Sequence, residues 1–407
     1  MLNFDPAGYE SQRRIFMKVG SMRAILDTIS ICAMGIAAVC LISATPARGQ
    51  AGQAASGDKP LMSDQAFKNV QVLKGIPVNE FMEEMGFFSA SLTANCTTCH
   101  GDESAGSWDK YAVDTPMKQM TRKMVLMMNG INQNYFGGKR EVTCYSCHHG
   151  DDKPRVTPTV ADVYATPPPP EDPDTLLPAA RGERTADQIL DGYIKALGGA
   201  QKLANLKSFQ AKGTSEGYAE EKIPVQIYAK SPNERAVFSQ SPSGERATVY
   251  NGSMAWVLAP ADDKPVPLVQ LTADDLDGAK LDAAVTFPVQ LKQTLMNWRV
   301  SFPTQIGDTD VDVVQGSMNG KTPVNFYFDK KTGLLLRMVR YADTKVGLYS
   351  TQTDFSDYRD VAGIKMPYHI SVAWMDGRAD MILSQIQPNV SIDDAKFGKP
   401  AIPPPGK

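Results

Sequence analysis

The sequence predicts a multidomain protein in which a helical N-terminal domain precedes an antiparallel β-rich half-barrel domain of the α+β class. Its 407 residues exceed the length of one ordinary domain. Helical periodicity marks the part before residue 150, whereas short alternating strand-like runs mark the part after residue 183. Between them, residues 151–182 contain eight prolines and few apolar side chains, a composition typical of a semi-rigid spacer. We therefore expect two folded domains joined by this spacer.

Residues 1–50 have the layout of a secretory signal peptide. Basic residues, among them Arg13 and Arg14, precede the uncharged apolar run Ile29–Ala44, and small residues follow it. We expect cleavage between Ala47 and Ala51. A permanent membrane anchor is the weaker alternative, because the apolar run is short for a bilayer span. The sequence therefore predicts a periplasmic or otherwise exported protein, with association to a membrane left open.

Charge and cysteine content narrow the possible functions. The net charge of −3 and the pI of about 5.9 show no basic footprint, which excludes nucleic acid as the expected partner. Of the six cysteines, Cys32 and Cys40 lie in the N-terminal apolar stretch. The other four all belong to two copies of one short motif, so no thiol of the exported part is left for a disulfide.

That motif is a Cys-x-x-Cys-His pentad, present at Cys96–His100 and at Cys144–His148. In such a pentad the two thiols form thioethers with the vinyl groups of a c-type haem, and the histidine becomes the proximal iron ligand. A zinc site made of four thiolates is the alternative, which the two terminal histidines and the long separation of the pairs disfavour. The predicted cofactor-binding residues are Cys96, Cys99, Cys144 and Cys147, and the predicted proximal iron ligands are His100 and His148.

A predicted amphipathic helix precedes each pentad and carries methionines. The first spans Asn79–Leu92, and Met85 lies on its apolar face, well placed to reach the distal side of an iron. The second spans Lys118–Ile131, and periodicity does not choose among its methionines or distinguish ligation from core packing. These methionines are Met117, Met120, Met124, Met127 and Met128.

Methionine is the expected sixth ligand of each haem iron, because the chain has few histidines. Of four histidines in the chain, two are assigned as proximal ligands, His149 adjoins one of them, and His369 falls in a distant strand-like run. A His/Met pair raises the reduction potential and fills both axial positions of the iron. We therefore expect an electron carrier and no enzyme.

Residues 65–150 resemble the cytochrome c subunit of photosynthetic reaction centres. In that family a methionine on the helix before each of the first two pentads is the distal ligand, and these methionines match Met85 and Met124. The resemblance thus selects Met124 from its neighbours and implies an all-α multihaem cytochrome c domain over residues 61–150. The resembling stretches are Asn69–Leu73, Met85–His100, Thr121–Met124 and Glu141–His148.

The chain also departs from that family. Its best-known members carry four haems, whereas no pentad follows His148 here and residues 129–143 contain no histidine. We therefore expect two covalent haems. The resemblance implies re-reduction of a photo-oxidised donor, with a membrane reaction centre or another membrane redox complex as partner. A place in a non-photosynthetic exported redox chain is the alternative.

Residues 183–407 are predicted to be mainly β, with helices from Thr185 to Gly198-Gly199 and over Leu281–Trp298. Strands are expected at Val225–Tyr228, Ala247–Tyr250, Val324–Phe328, Leu334–Val339 and Met366–Trp374.

This part of the chain bears a low-specificity resemblance to the outer-membrane lipoprotein-carrier and sorting superfamily, whose open β-barrels hold an apolar cavity. Ala196–Gly199, Asp354–Tyr358 and Pro367 carry the resemblance. Lipid binding is the role that it implies, and scaffolding of the cytochrome is the alternative. A haem-based sensor with an open axial position is a further alternative for the whole chain. No catalytic residues are predicted.

Overall fold

A computed structural model describes residues 59–165, 182–217, 222–261, 263–318 and 320–403. The predicted signal peptide and residues 166–181 of the proline-rich segment lie outside the described residues. Residues 58–407 form a single compact unit.

Residues 59–165 are built from helices. The elements are α1 (Ser63–Ala66), α2 (Val78–Leu92), α3 (Cys96–His100), α4 (Pro116–Tyr135), α5 (Cys144–His148) and α6 (Val160–Tyr164), with 3₁₀ turns at Asp102–Gly106 and Trp108–Ala112. Helices α2 and α4 confirm the two amphipathic helices expected before the pentads. Thr115 begins α4 by accepting the backbone N–H of Lys118 at 3.1 Å, and Pro116 occupies the first turn, where its missing N–H costs no hydrogen bond.

The remainder forms one antiparallel sheet. Its strands are β1 (Ser208–Glu216), β2 (Ile223–Lys230), β3 (Glu234–Ser241), β4 (Gly244–Tyr250), β5 (Ala255–Leu258), β6 (Leu268–Leu271), β7 (Met296–Val300), β8 (Thr304–Ile306), β9 (Thr309–Ser317), β10 (Val324–Asp329), β11 (Leu335–Asp343), β12 (Leu348–Val361), β13 (Ile364–Trp374) and β14 (Gly377–Pro388). The spatial order is β6-β5-β4-β3-β2-β1-β14-β13-β12-β11-β10-β9-β7, and β8 pairs with β9. Four of the five predicted strand runs fall within these strands, and the fifth, Leu334–Val339, begins one residue before β11.

Four helices pack against the apolar side chains of this sheet. They are α7 (Ala186–Ala196), α8 (Ala200–Asn205), α9 (Ala273–Thr286) and α10 (Leu291–Thr294). Leu190 and Tyr193 of α7 and Leu281 of α9 join one large cluster with Phe326 and Phe328 of β10. Phe326 is 0% exposed, so it lies at the centre of this interface. The expected antiparallel sheet packed on helices is confirmed.

The second helix predicted within residues 183–407 has the wrong limits. It was expected over Leu281–Trp298, but α9 already ends at Thr286, and a 3₁₀ turn over Pro288–Gln290 follows. Proline lacks the N–H that a helix interior needs and disfavours helical geometry at the preceding residue. Trp298 instead lies in β7, where its ring packs 5.8 Å from that of Phe326.

A second apolar cluster joins the helical part to the sheet. Phe87 of α2 and Val125 of α4 are buried in it together with Val346 and Tyr349, which belong to the β11–β12 region. The boundaries 61–150, 151–182 and 183–407 stay a prediction, because no further observation bears on them. The two folded parts nevertheless contact each other directly.

Candidate functional site

Each pentad folds into a short capped helix. The Asn95 side chain accepts the N–H of Thr98 at 3.0 Å at the start of α3, and Thr143 accepts the N–H of Ser146 at 3.4 Å at the start of α5. In a helix, residues three apart lie on one face, so both cysteines of a pentad can bond to the same flat molecule. The thiols of Cys96, Cys99, Cys144 and Cys147 form no disulfide.

The histidine of each pentad is oriented by the same contact. His100 Nδ1 lies 3.1 Å from the backbone oxygen of Tyr111, and His148 Nδ1 lies 3.0 Å from that of Asp151. A carbonyl accepts but cannot donate, so Nδ1 carries the proton and Nε2 keeps its lone pair free for a metal. Burial lowers the pKa of His100, which favours the neutral, metal-binding imidazole.

Two of the pentad thiols are protonated, and the pentad cysteines do not gather into a zinc site among the described residues. Burial raises the pKa of Cys144 to about 11 and also raises that of Cys99, so both are protonated at neutral pH. Among the residues that the structure describes, no three His, Cys, Asp or Glu side chains gather as metal ligands. A structural zinc site needs four ligands in a tetrahedron, and the described cysteines do not form one.

The chain just before the first pentad is hydrogen-bonded to the chain just after the second pentad. At the end of α2, Ser91 accepts the N–H of Gly150 at 3.0 Å, and the Thr93 hydroxyl donates to the Gly150 oxygen, just beyond α5. At the start of α4, the Thr115 hydroxyl donates to the Cys99 oxygen in α3. The end of α2 therefore contacts the chain just after α5, and the start of α4 contacts α3.

The predicted methionine ligands lie in the same region. Met85 and Cys144 both pack, half-buried, against the cluster that joins α2 and α4 to the sheet. Met128 is buried in that cluster with 4% exposure, so it packs in the core. Met124 is half-buried, whereas Met120 and Met127 are each 49% exposed. The ligand roles of Met85 and Met124 stay predictions.

An aromatic stack lies behind His100. The Trp108 ring stacks on Tyr111 at 5.1 Å, and the Tyr111 ring lies 4.8 Å from the imidazole. The sheet half reaches this stack through the loop between β5 and β6. There Asp263 accepts the Ser107 hydroxyl at 2.6 Å and the Trp108 N–H at 3.1 Å.

Sequence reasoning missed Glu84 of α2. Its side chain is 0% exposed and accepts the N–H groups of Lys345 at 2.6 Å and Val346 at 3.2 Å. Burial raises its pKa to about 7. The signal was present, because Glu84 lies three residues after Phe81 and four before Phe88, at core spacing on the apolar face.

The sheet also brings together a serine, a histidine and an aspartate. Ser356 lies opposite His369 on neighbouring strands, with Oγ 3.2 Å from Nδ1, and Asp380 lies 3.5 Å from Nε2. The cluster is solvent-accessible, and Asp380 also pairs with Arg378. We assign it no catalytic role. His369 thus has partners on its own sheet, as its structural assignment requires.

None of the described helices combines the length and apolarity that a membrane span requires. The apolar run Ile29–Ala44, which carries the predicted signal peptide, lies outside the described residues.

Solved structures include a LolA superfamily protein from Nitrosomonas europaea, which is 16% identical. It covers 53% of this chain and 99% of that chain with a TM-score of 0.38.

Two curated proteins are similar in the pentad region, and both are photosynthetic reaction center cytochrome c subunits. The one from Thermochromatium tepidum is 29% identical over 153 residues, which are 37% of this chain and 33% of that protein. The one from Rubrivivax gelatinosus (strain NBRC 100245 / IL144) is 31% identical over 97 residues, which are 23% of this chain and 25% of that protein. The chain thus spans only a third or a quarter of the length of these relatives.

The family model of the photosynthetic reaction centre cytochrome C subunit matches residues 36–172. Both pentads and both predicted methionine ligands fall inside this range. The resemblance to this family is confirmed for the pentad-bearing part of the chain, and covalently bound haem is what the family resemblance implies.

Proposed function

We propose that the chain is an exported di-haem c-type cytochrome that transfers electrons. One haem would be held by Cys96 and Cys99, and the other by Cys144 and Cys147. One observation carries this proposal: each pentad presents two free thiols on one helix together with a histidine whose Nδ1 is bonded to a backbone carbonyl. Seen twice in one chain, this is the donor set that covalent haem attachment requires.

The roles of the residues follow from that donor set. When bound, haem supplies one-electron redox chemistry at its iron. The four thiols anchor the two porphyrins, and His100 and His148 present Nε2 from the proximal side. Met85 and Met124 are proposed as the distal ligands. With both axial positions filled, no open site is left for oxygen or peroxide chemistry, so we propose an electron carrier and no enzyme.

The contacts of α2 and α4 support a relay between the two sites. The end of α2 is hydrogen-bonded next to α5, and the start of α4 is hydrogen-bonded to α3. We propose that the two haems would exchange electrons across this shared packing of α2 and α4. We therefore propose that the chain conducts electrons between two partners and that residues 61–150 are the di-haem domain that does so.

We propose that the partner is a redox protein, and two candidates for it can be named. The resemblance to reaction centre cytochrome subunits supports a membrane reaction centre whose photo-oxidised donor is re-reduced. A non-photosynthetic exported redox chain is the second candidate. It is favoured by the presence of two pentads where the best-known family members have four, and by the short match to the relatives.

Lipid binding is not part of the proposal. The apolar face of the sheet that the structure describes is packed against α7–α10, with Phe326 and Leu335 fully buried. A lipid carrier needs a cavity where these side chains lie. We propose that residues 183–407, joined by the spacer 151–182, support the cytochrome part.

Carbon monoxide distinguishes a carrier from a haem-based sensor. CO binds ferrous haem when an axial position is open. We expect the absorption spectrum of the reduced, non-denatured protein to be unchanged by CO, whereas the acid-denatured protein should respond. A CO-induced Soret shift of the native protein at either haem would contradict the carrier assignment.

A further inference from the structure

The turn between β11 and β12, residues 343–347, is a rigid structure of its own. Thr344 donates its N–H to the Gly347 oxygen at 3.0 Å and its hydroxyl to the same oxygen at 2.7 Å. Gly347 in turn donates its N–H to the Thr344 hydroxyl at 3.2 Å. These three bonds hold the N–H groups of Lys345 and Val346 in one direction, and both donate to the buried Glu84 carboxylate.

Helix α2 packs closely against this turn and against the start of β12. A Cβ added at Gly347 would lie 2.1 Å from the Phe87 ring, and one added at Gly86 would lie 2.7 Å from the Tyr349 ring. Such distances leave no room for another side chain. Gly86 and Phe87 directly follow Met85 in sequence and Glu84 directly precedes it, so the turn and the start of β12 fix the helix at the position of the predicted ligand.

The same turn also holds the segment that leads into the second pentad. Arg140 donates to the Thr344 oxygen and pairs with Asp343. Arg140 lies in the connection between α4 and α5, shortly before Cys144. The β11–β12 turn therefore contacts the pentad-bearing part at two residues, Glu84 and Arg140.

We propose that Glu84 is a positioning residue through which the β11–β12 turn holds Met85 in place as a distal iron ligand. This inference rests on the proposed function and assigns a role to the β-rich half. A thioether is a weak, neutral ligand, and its bond to iron survives only if the helix that carries it is fixed. The buried Glu84 carboxyl group accepts two backbone N–H groups of the turn, and losing the bond to Val346 would leave a buried donor without its partner.

The test compares E84Q with E80Q in the full chain, exported with its haems. In E84Q one carboxylate oxygen becomes an amide group that cannot accept a hydrogen bond, so one bond to the turn is lost. Glu80 lies one helical turn earlier, and E80Q neutralises a charge near the turn without removing the hydrogen bonds that Glu84 makes to the N–H groups of Lys345 and Val346. T344V loosens the same contact from the sheet side by removing the hydroxyl that organises the turn, and it serves if E84Q is not exported.

For E84Q and T344V we expect both haems to remain attached, while the sulfur-to-iron charge-transfer band falls by up to about half. CO binding to the reduced protein should rise in the same proportion, because one of two distal ligands is released. E80Q should match the wild type in both measurements. A merely structural role of Glu84 would lower stability without changing the band or CO binding.

The outcomes separate this inference from the function on which it rests. A wild-type protein without covalent haem would overturn the proposed function itself. A wild-type protein with two haems but no sulfur-to-iron band would overturn the methionine assignment and the inference with it. Wild-type spectra and CO behaviour in both E84Q and T344V would overturn the positioning role alone.

Discussion

At the scale of residues, the pentads show how far local sequence can lead. Cys96, Cys99 and His100 are close in sequence, so their chemistry could be read without a fold, and the same holds for the second pentad. The hydrogen bond from His100 Nδ1 to the Tyr111 oxygen could not be predicted, because the turn that brings Tyr111 back depends on the intervening chain. Glu84 was missed for a related reason, since its partners are 261 and 262 residues away.

The methionine assignment gives a prediction at this scale. M85A and M124A should each abolish the sulfur-to-iron charge-transfer band of one haem while leaving both haems attached, because a methyl group cannot replace a thioether ligand. The measurement is the red and near-infrared spectrum of the oxidised protein.

Met127 provides the matched control for this prediction. It lies three residues after Met124 on α4 and is 49% exposed, so M127A should keep both bands. Loss of a band in M127A together with its retention in M124A would show that the family alignment has selected the wrong methionine.

At the scale of elements, the periodic and capped segments were predicted best. Helix α7 begins after Thr185 and the two long helices before the pentads lie where the apolar spacing put them. The prediction of a helix over Leu281–Trp298 failed because the segment is apolar on several faces and its last residues instead enter β7, which pairs with β9. Pro288 was the local signal that should have divided it.

Helix α7 carries a test of its cap. Thr185 accepts the Gln188 N–H at 3.2 Å, and Gln188 accepts the Thr185 N–H at 2.8 Å. T185A should lower the free energy of unfolding by about 1 kcal/mol, because an N-terminal donor of the helix loses its partner. Denaturant unfolding measures the change. T185S keeps the hydroxyl and should stay close to wild type, so an equal loss in both variants would argue against the cap.

At the scale of the whole molecule, the contact between the helical part and the sheet was not predictable. A proline-rich spacer predicts two separate domains, yet Phe87, Val125 and Val346 share one buried cluster. Which surfaces meet depends on shape complementarity between segments that are distant in sequence. The hydrophobic periodicity of a single segment carries no information about that complementarity. The resemblance of each half to a different family encouraged the same separation.

This shared cluster predicts cooperative unfolding. Because α2 and α4 bury their apolar faces against the β11–β12 region, melting the sheet should release the predicted distal ligands as well. Thermal unfolding followed by the Soret band and by far-ultraviolet circular dichroism should therefore give coincident midpoints. Two separate midpoints would mean that the halves unfold independently and that the contact is weak.

The central claim is that the two pentads hold two covalent haems, and haem stoichiometry tests it most directly. A pyridine haemochrome assay combined with the intact mass of the exported protein should give two haems per chain. The double variant C144S/C147S should retain one haem, which would assign the other to the second pentad. Tightly bound zinc without haem, or any haem count other than two in the wild type, would contradict the account.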